Sequence, residues 1–158
     1  EMQELHLYDF GIFLELEPDE EEKALLENNI QVALSKENIE LEDAIDELIE
    51  YFSGQRTSFT VPIHQEGTAF QQKVWKELYE VPFGKTLSYG ELAKKLGDPK
   101  CVRAAAAANG KNKIAILIPC HRIIGADQSL VGYAWGKYRK KWLLQHEFRL
   151  ALGVQTLF

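Results

Sequence analysis

Apolar residues recur along this chain with two periods, and the change of period divides it into elements. From Leu5 to Leu16 they alternate in part, at Phe10, Ile12, Leu14 and Leu16. That predicts a strand pair or one bent strand, with Gly11 as a bulge or turn. Pro18, Asp19 and the acids Glu20 to Glu22 predict the start of an acidic helix. Residues 29–34 fit either its continuation or a strand. Over residues 40–53, Leu41, Ile45, Leu48, Ile49 and Phe52 fall at helical spacing and predict an amphipathic helix, with Gly54 as the C′ residue beyond it. The acids on its other face read as a solvated surface. Residues 57–63 alternate briefly, and residues 54–69 read as a link.

Beyond the link the spacing is helical again. Thr68 is an N-cap for a helix whose stripe is Phe70, Val74, Trp75 and Leu78. Residues 81–85 form a turn. Ser88 and Glu91 make a capping box that opens a short helix closed by Gly97. Pro99 stands near the first position of another helix, which runs to Asn109 and Gly110. Two short helices joined by a tight Gly-containing turn predict a helix-turn-helix. Its second helix is a run of alanines interrupted by Arg103. So little side-chain bulk suits close packing on a core or entry into a DNA groove. Arg103 is either a surface ion-pair residue or a side chain inserted into a duplex.

The next stretch, Ile114 to Ile124, is where chemistry enters. Ile114 to Ile118 predict a short buried strand, ended by Pro119, which has no N–H for a ladder. Cys120, His121 and Arg122 follow. A free cysteine is most often a core residue. On the rim of a rigid strand beside two cationic side chains, it is instead expected as an exposed, stabilised thiolate. Residues 125–136 read as a Gly-rich loop whose Tyr133 and Trp135 form a lid or a plug. The cluster of Lys137, Arg139, Lys140 and Lys141 is available to phosphates or simply solvated. It opens a helix with Trp142, Leu143 and Leu144 on its apolar face and His146 and Glu147 beside it.

Composition adds two constraints. The net charge of −6 argues against nucleic acid for the chain as a whole, but it is unevenly placed. Residues 1–65 hold 17 acidic and 3 basic residues, net −14, and residues 66–158 hold 7 and 15, net +8. The basic half carries Cys120, and local rather than overall charge is what a DNA-binding face needs. Cys101 and Cys120 make a poor disulfide framework, so both are expected reduced, as in an intracellular chain. Cys101 reads as structural. No metal-ligand spacing, signal-peptide pattern or apolar run of membrane-spanning length stands out.

The segments Phe70-Gln-Gln-Lys-Val-Trp75, Phe83-Gly-Lys-Thr-Leu-Ser-Tyr-Gly-Glu-Leu-Ala93, Arg103-Ala104, Asn109-Gly-Lys-Asn112, Ile118-Pro-Cys-His-Arg122, Gly132-Tyr133 and Trp142-Leu-Leu-Gln-His-Glu147 together resemble the 6-O-methylguanine-DNA methyltransferases, in order and over at least residues 67–150. The resemblance implies an α+β chain. Residues 1–65 would be a small variable N-terminal α/β domain, without the cysteines for the zinc site of some members. Residues 66–158 would be a mostly helical, winged-helix-like DNA-binding alkyltransferase domain.

It also implies roles. Cys120 is the nucleophile, taking a methyl or small alkyl group from the 6-oxygen of guanine, and from the 4-oxygen of thymine, in a base flipped out of double-stranded DNA. His121 takes the thiol proton through a bound water, and Glu147 orients the imidazole. Asn112 holds the turn before the active-site strand. Tyr89 donates to the flipped base or turns its phosphate, and Arg103 fills the gap in the stack. The carbonyls of Cys120 and Ile123 accept from the guanine amino group. Tyr133, Ala134 and Trp135 wall the pocket, and Lys140 closes its far side. Trp135 stands where some relatives have glycine, so benzyl adducts should react poorly. Each molecule acts once, as a monomer and with no cofactor, in the cytoplasm or, in a eukaryote, the nucleus. Two other classes compete: a cysteine hydrolase using Cys120, His121 and Glu147, and a helix-turn-helix regulator without chemistry.

Overall fold

The structure, a computed structural model, describes residues 41–130 and 132–152. The strand, helix and undecided segment expected within residues 5–34 lie outside the described residues. The chain divides into two compact units between His64 and Gln65.

In the first unit, α1 (Leu41–Phe52) is the expected amphipathic helix. Gly54 follows it at φ +83°. The Gly54 N–H reaches the Tyr51 carbonyl at 3.1 Å and the Gln55 N–H reaches that of Glu50 at 2.9 Å, a Schellman close that needs a left-handed residue at this point. The buried face differs from the expected stripe. Ala44, Glu47, Tyr51 and Phe52 are buried, whereas Ile45 is 46% exposed. Nor is Glu47 a solvated acid. Its carboxylate accepts from the Thr60 N–H at 2.9 Å, the Thr60 hydroxyl at 2.5 Å and the Val61 N–H at 3.4 Å, with Arg56 at 3.7 Å. Residues 57–63 therefore form no strand; two of their backbone donors are satisfied by a side chain instead of a ladder.

The second unit is built on helices whose ends are locally encoded. In α2 (Ala69–Tyr79), Thr68 and Gln71 form a reciprocal capping box, at 3.1 and 2.9 Å. Its buried residues are Val74, Trp75 and Leu78; Phe70 lies at the surface. A second capping box, of Ser88 and Glu91, opens α3 (Tyr89–Lys95). The helix α4 (Val102–Gly110) starts later than expected. Asp98 accepts from the Lys100 N–H at 2.9 Å through its side chain and from the Cys101 N–H at 3.0 Å through its carbonyl. Pro99 therefore sits in this turn and not in the helix. Helices α3 and α4 pack together as the helix-turn-helix, and α4 also packs on α2, where the Trp75 indole donates to the Ala108 carbonyl at 2.9 Å. In the alanine run, Ala105 and Ala108 are buried, as close packing requires, while Ala104 and Ala107 face outward.

Ile114 to Ile118 are not a strand. Ile116 adopts φ +72°, and the Ile118 N–H bonds back to the Ile114 carbonyl at 3.1 Å. A buried apolar run reads alike as strand or compact turn; here Asn112 decides, since its side chain takes up the backbone groups a neighbouring strand would have paired. Pro119 then leads into a 3₁₀ turn (Cys120–Arg122).

The two-stranded sheet is small but decisive for position. Strand β1 (Leu87–Ser88) pairs in parallel with β2 (Ile123–Ile124), Leu87 opposite Ile123 and Ser88 opposite Ile124. Tyr89 directly follows β1 and Cys120–Arg122 directly precede β2, so the pairing ties the helix-turn-helix to the cysteine turn. Last, α5 (Lys137–Leu152) packs against that turn. Its buried face is Arg139, Lys140, Leu143, Leu144, His146 and Glu147. The basic cluster is thus split: Lys137 and Lys141 are exposed, and Arg139 and Lys140 point into the protein.

Candidate active site

Cys120 opens the 3₁₀ turn and is only 3% exposed. The expected exposed thiolate is corrected here: burial pushes the thiol up to about 11, against the opposing pulls of an Asn112 hydrogen bond and the Lys140 charge. Its neighbours in sequence do not serve it as cations, because both turn to Glu147. The His121 Nε2 lies 2.6 Å from the Glu147 Oε2. Arg122 donates to the same carboxylate through Nε at 2.8 Å and Nη2 at 3.1 Å, and to the Val81 carbonyl through Nη1 at 2.6 Å. Burial would raise the Glu147 carboxyl, but His121 and Arg122 hold it far below the usual carboxylate range. Burial holds the His121 imidazole below its ordinary pKa despite the Glu147 charge. A neutral imidazole anchored through Nε2 leaves Nδ1 as the base. That nitrogen is buried and has no hydrogen-bond partner among the described residues.

Asn112 organises the approach to this turn. Its amide donates to the Ile118 carbonyl at 3.0 Å and to that of Ile114 at 3.4 Å, and its oxygen accepts from the Ile114 N–H at 3.2 Å. Gln65 in turn donates to Asn112 at 2.9 Å and accepts from the Lys113 N–H at 2.7 Å. The sequence reading missed Gln65. It precedes α2 in the link and stands 47 residues from its partner, so no local spacing announces it. The Arg122 clamp on Glu147 was missed for the same reason.

Lys140 is fully buried and donates to the Ile123 carbonyl at 2.5 Å. One lone pair of that carbonyl is therefore already engaged, and Ile123 itself is buried. Burial pushes the Lys140 ammonium down to about 8, with the Cys120 sulfur opposing. The ammonium lies 5.9 Å from the Tyr89 ring centre. Burial, and then the Cys120 sulfur, raise the Tyr89 phenol above its ordinary pKa, while a hydrogen bond from Asn109 lowers it. Gly132, at φ +72°, lets the loop pass this phenol closely; a Cβ there would lie 3.2 Å from the hydroxyl.

The rings of Tyr133 and Trp135 are buried 5.4 Å apart, with Ala134 half-buried between them. The Tyr133 hydroxyl has no hydrogen-bond partner among the described residues. Arg103 is exposed on the first turn of α4. The arrangement is a shielded thiol with a buried base–carboxylate pair, a buried ammonium and a phenol at the foot of a helix-turn-helix. That set suits nucleophilic displacement followed by protonation of a leaving group.

Residues 69–149 match the family model described as 6-O-methylguanine DNA methyltransferase, DNA binding domain, and residues 12–65 match that of its ribonuclease-like domain. The chain belongs to the 6-O-methylguanine DNA methyltransferase family. Among relatives, the methylated-DNA–protein-cysteine methyltransferase of Mycobacterium tuberculosis is 50% identical over 115 residues, 73% of this chain and 70% of that protein. The crystal structure of the Mycobacterium tuberculosis O6-methylguanine methyltransferase aligns with TM-score 0.67 at 48% identity, over 72% of this chain and 68% of that one. The structure of that bacterium's enzyme in complex with DNA aligns with TM-score 0.67 at 50% identity, over 69% and 66%. The match to the methyltransferase DNA binding domain includes the site residues above apart from Gln65. Among the described residues, no helix is long and apolar enough to cross a membrane.

Proposed function

We propose that this protein is a methylated-DNA–protein-cysteine methyltransferase that moves a methyl or small alkyl group from the 6-oxygen of guanine in duplex DNA onto Cys120. Residues 66–158 act as the DNA-binding alkyltransferase domain and residues 1–65 as the family's variable domain. The observation that carries the reading is the His121–Glu147 contact of 2.6 Å beside a buried thiol.

The thiol proton passes to His121 Nδ1, directly or through water, while Glu147 stabilises the imidazolium. Sulfur attacks the alkyl carbon in line; the S–C bond forms as the C–O bond breaks, and that electron pair remains on the base. The base then takes a proton from the Tyr89 hydroxyl, and the phenolate regains one from the His121 imidazolium through solvent, so the net exchange is a thiol proton for an alkyl group. No group among the described residues is placed to return the thioether to a thiol, so each molecule acts once. Arg103 fills the vacated stack, and the carbonyls of Cys120 and Ile123 accept from the guanine amino group. All of these residues belong to one chain, so the reading needs no second copy. The 4-oxygen of thymine is a second site of the same chemistry. The Trp135 indole narrows the pocket against benzyl adducts.

Titrating the protein with excess O6-methylguanine duplex tests this reading. Product should plateau at one equivalent per protein, and Cys120→Ala should bind the duplex without transfer. Continued turnover would instead mark a cysteine hydrolase.

A further inference from the structure

Gln65 has no part in the chemistry above, yet its side chain reaches the segment that carries the nucleophile. It is the first residue of the second unit, precedes α2 and is 8% exposed. Its backbone carbonyl accepts from the Gln72 side-chain amide of α2. Its own amide lies between Asn112 and Lys113, 47 and 48 residues along the chain.

Backbone groups fix which way round both amides stand. The Lys113 N–H can only donate, so the Gln65 atom 2.7 Å from it is the oxygen. The Gln65 Nε2 is thereby turned to Asn112, where it donates to Oδ1 at 2.9 Å. The Ile114 N–H, also a donor only, meets the same Oδ1 at 3.2 Å. Asn112 Nδ2 is left to donate to the Ile118 carbonyl at 3.0 Å. That carbonyl also accepts from the Cys120 N–H at 2.8 Å. Hydrogen bonds of one polarity thus run from the Lys113 N–H, through two amides, to the carbonyl on which the nucleophile's own N–H closes. The segment they hold is strained. Ile116, a β-branched residue, stands at φ +72° within it, and such a conformation persists only where its surroundings over-determine it.

We propose that Gln65 is a positioning residue for alkyl transfer: by donating to Asn112 Oδ1 it keeps Asn112 Nδ2 on the Ile118 carbonyl, and so holds Cys120 where its sulfur meets the alkyl carbon in line. The proposal rests on the functional reading above, in which Cys120 is the nucleophile. In-line displacement loses rate steeply when the attacking atom is misplaced by about 1 Å. Loss of the Gln65 donor therefore slows the transfer step. It spares duplex affinity, because Gln65 lies outside both helices of the helix-turn-helix.

The test measures single-turnover transfer from an O6-methylguanine duplex at saturating protein, from about pH 8 down to about pH 5, beside equilibrium binding of the undamaged duplex. Gln65→Met, similar in length but without polar side-chain N or O atoms, should lower the saturated rate about tenfold, the size of one lost buried hydrogen bond, with duplex affinity unchanged. Gln65→Glu separates the donor from the bulk of the side chain. Its ionised carboxylate still accepts from the Lys113 N–H but sets oxygen against Asn112 Oδ1; its protonated form donates there again. Its rate relative to wild type at the same pH should therefore rise as pH falls, while that of Gln65→Met stays flat. Gln65→Ala, which admits water to the stranded groups, replaces the methionine variant should that fail to fold. A wild-type rate in the methionine or alanine variant, an equal loss of transfer and binding, or a Gln65→Glu ratio that ignores pH would overturn the proposal. Absence of transfer by the wild-type protein to O6-methylguanine would instead overturn the functional reading itself, and this proposal with it.

Discussion

At the scale of single residues, the sulfur and its neighbours divide their tasks differently from their order in sequence. Three consecutive side chains, Cys120, His121 and Arg122, carry the candidate chemistry and are legible because they are consecutive. Their electrostatics are not. A cation next in sequence need not be next in space, and here Arg122 spends its charge on Glu147. Glu147 is the residue most exposed to test. Its folded carboxyl is held far below the unfolded value of roughly 4.3. The unfolded chain therefore binds the proton more readily. The stabilisation is complete above that unfolded pKa and drains away as pH falls through it toward the folded one. Glu147→Gln should cost about 3–5 kcal/mol at pH 7, since it strands the buried Arg122 guanidinium. Denaturant unfolding at a series of pH values should show the difference from wild type shrinking as pH falls below about 4.5. An undiminished difference at low pH would mean that the carboxylate charge is not what holds the turn.

At the scale of elements, what is encoded within four residues was legible and what is encoded across tens was not. Both capping boxes, Thr68 with Gln71 and Ser88 with Glu91, were visible in the spacing, or half visible, because their partners are local. Ile114 to Ile118 were misread, because apolar β-branched residues mark burial before they mark a ladder. The turn they form is held by Asn112, and Asn112 by Gln65. Asn112→Ala removes donors and acceptors from a buried backbone and should destabilise the second unit by about 2–3 kcal/mol. It should also slow transfer more than it weakens duplex binding, because the helix-turn-helix caps are untouched. Stopped-flow transfer beside equilibrium binding separates the two effects. Equal losses in both would show that Asn112 acts on the fold at large rather than on the cysteine turn. The fate of residues 57–63 teaches the same lesson: one buried carboxylate, Glu47, takes the donors that a strand would have used.

At the scale of the whole molecule, charge is partitioned between the two parts of the chain, and the net value conceals it. The basic half exposes Lys73, Lys76, Lys94, Lys95, Lys100, Arg103 and Lys111. Affinity for undamaged duplex should fall as salt rises, with a log–log slope that grows less steep by about one for each phosphate-contacting lysine replaced. A salt-independent affinity would contradict a phosphate-anchored complex. The helix-turn-helix was legible from periodicity and capping signals, and the α+β architecture from the family resemblance that the ordered motifs carry. The β1–β2 pairing was not, since two-residue strands leave no period to read. Yet that pairing brings Tyr89 beside the cysteine turn, and on it the geometry of transfer depends.

The most direct measurement is the mass of the peptide containing Cys120 after the protein meets a duplex with one O6-methylguanine. A gain of about 14 Da, methyl in place of hydrogen on sulfur, is the predicted result. A repaired duplex with that peptide unchanged, or the added mass on Cys101, would contradict the account.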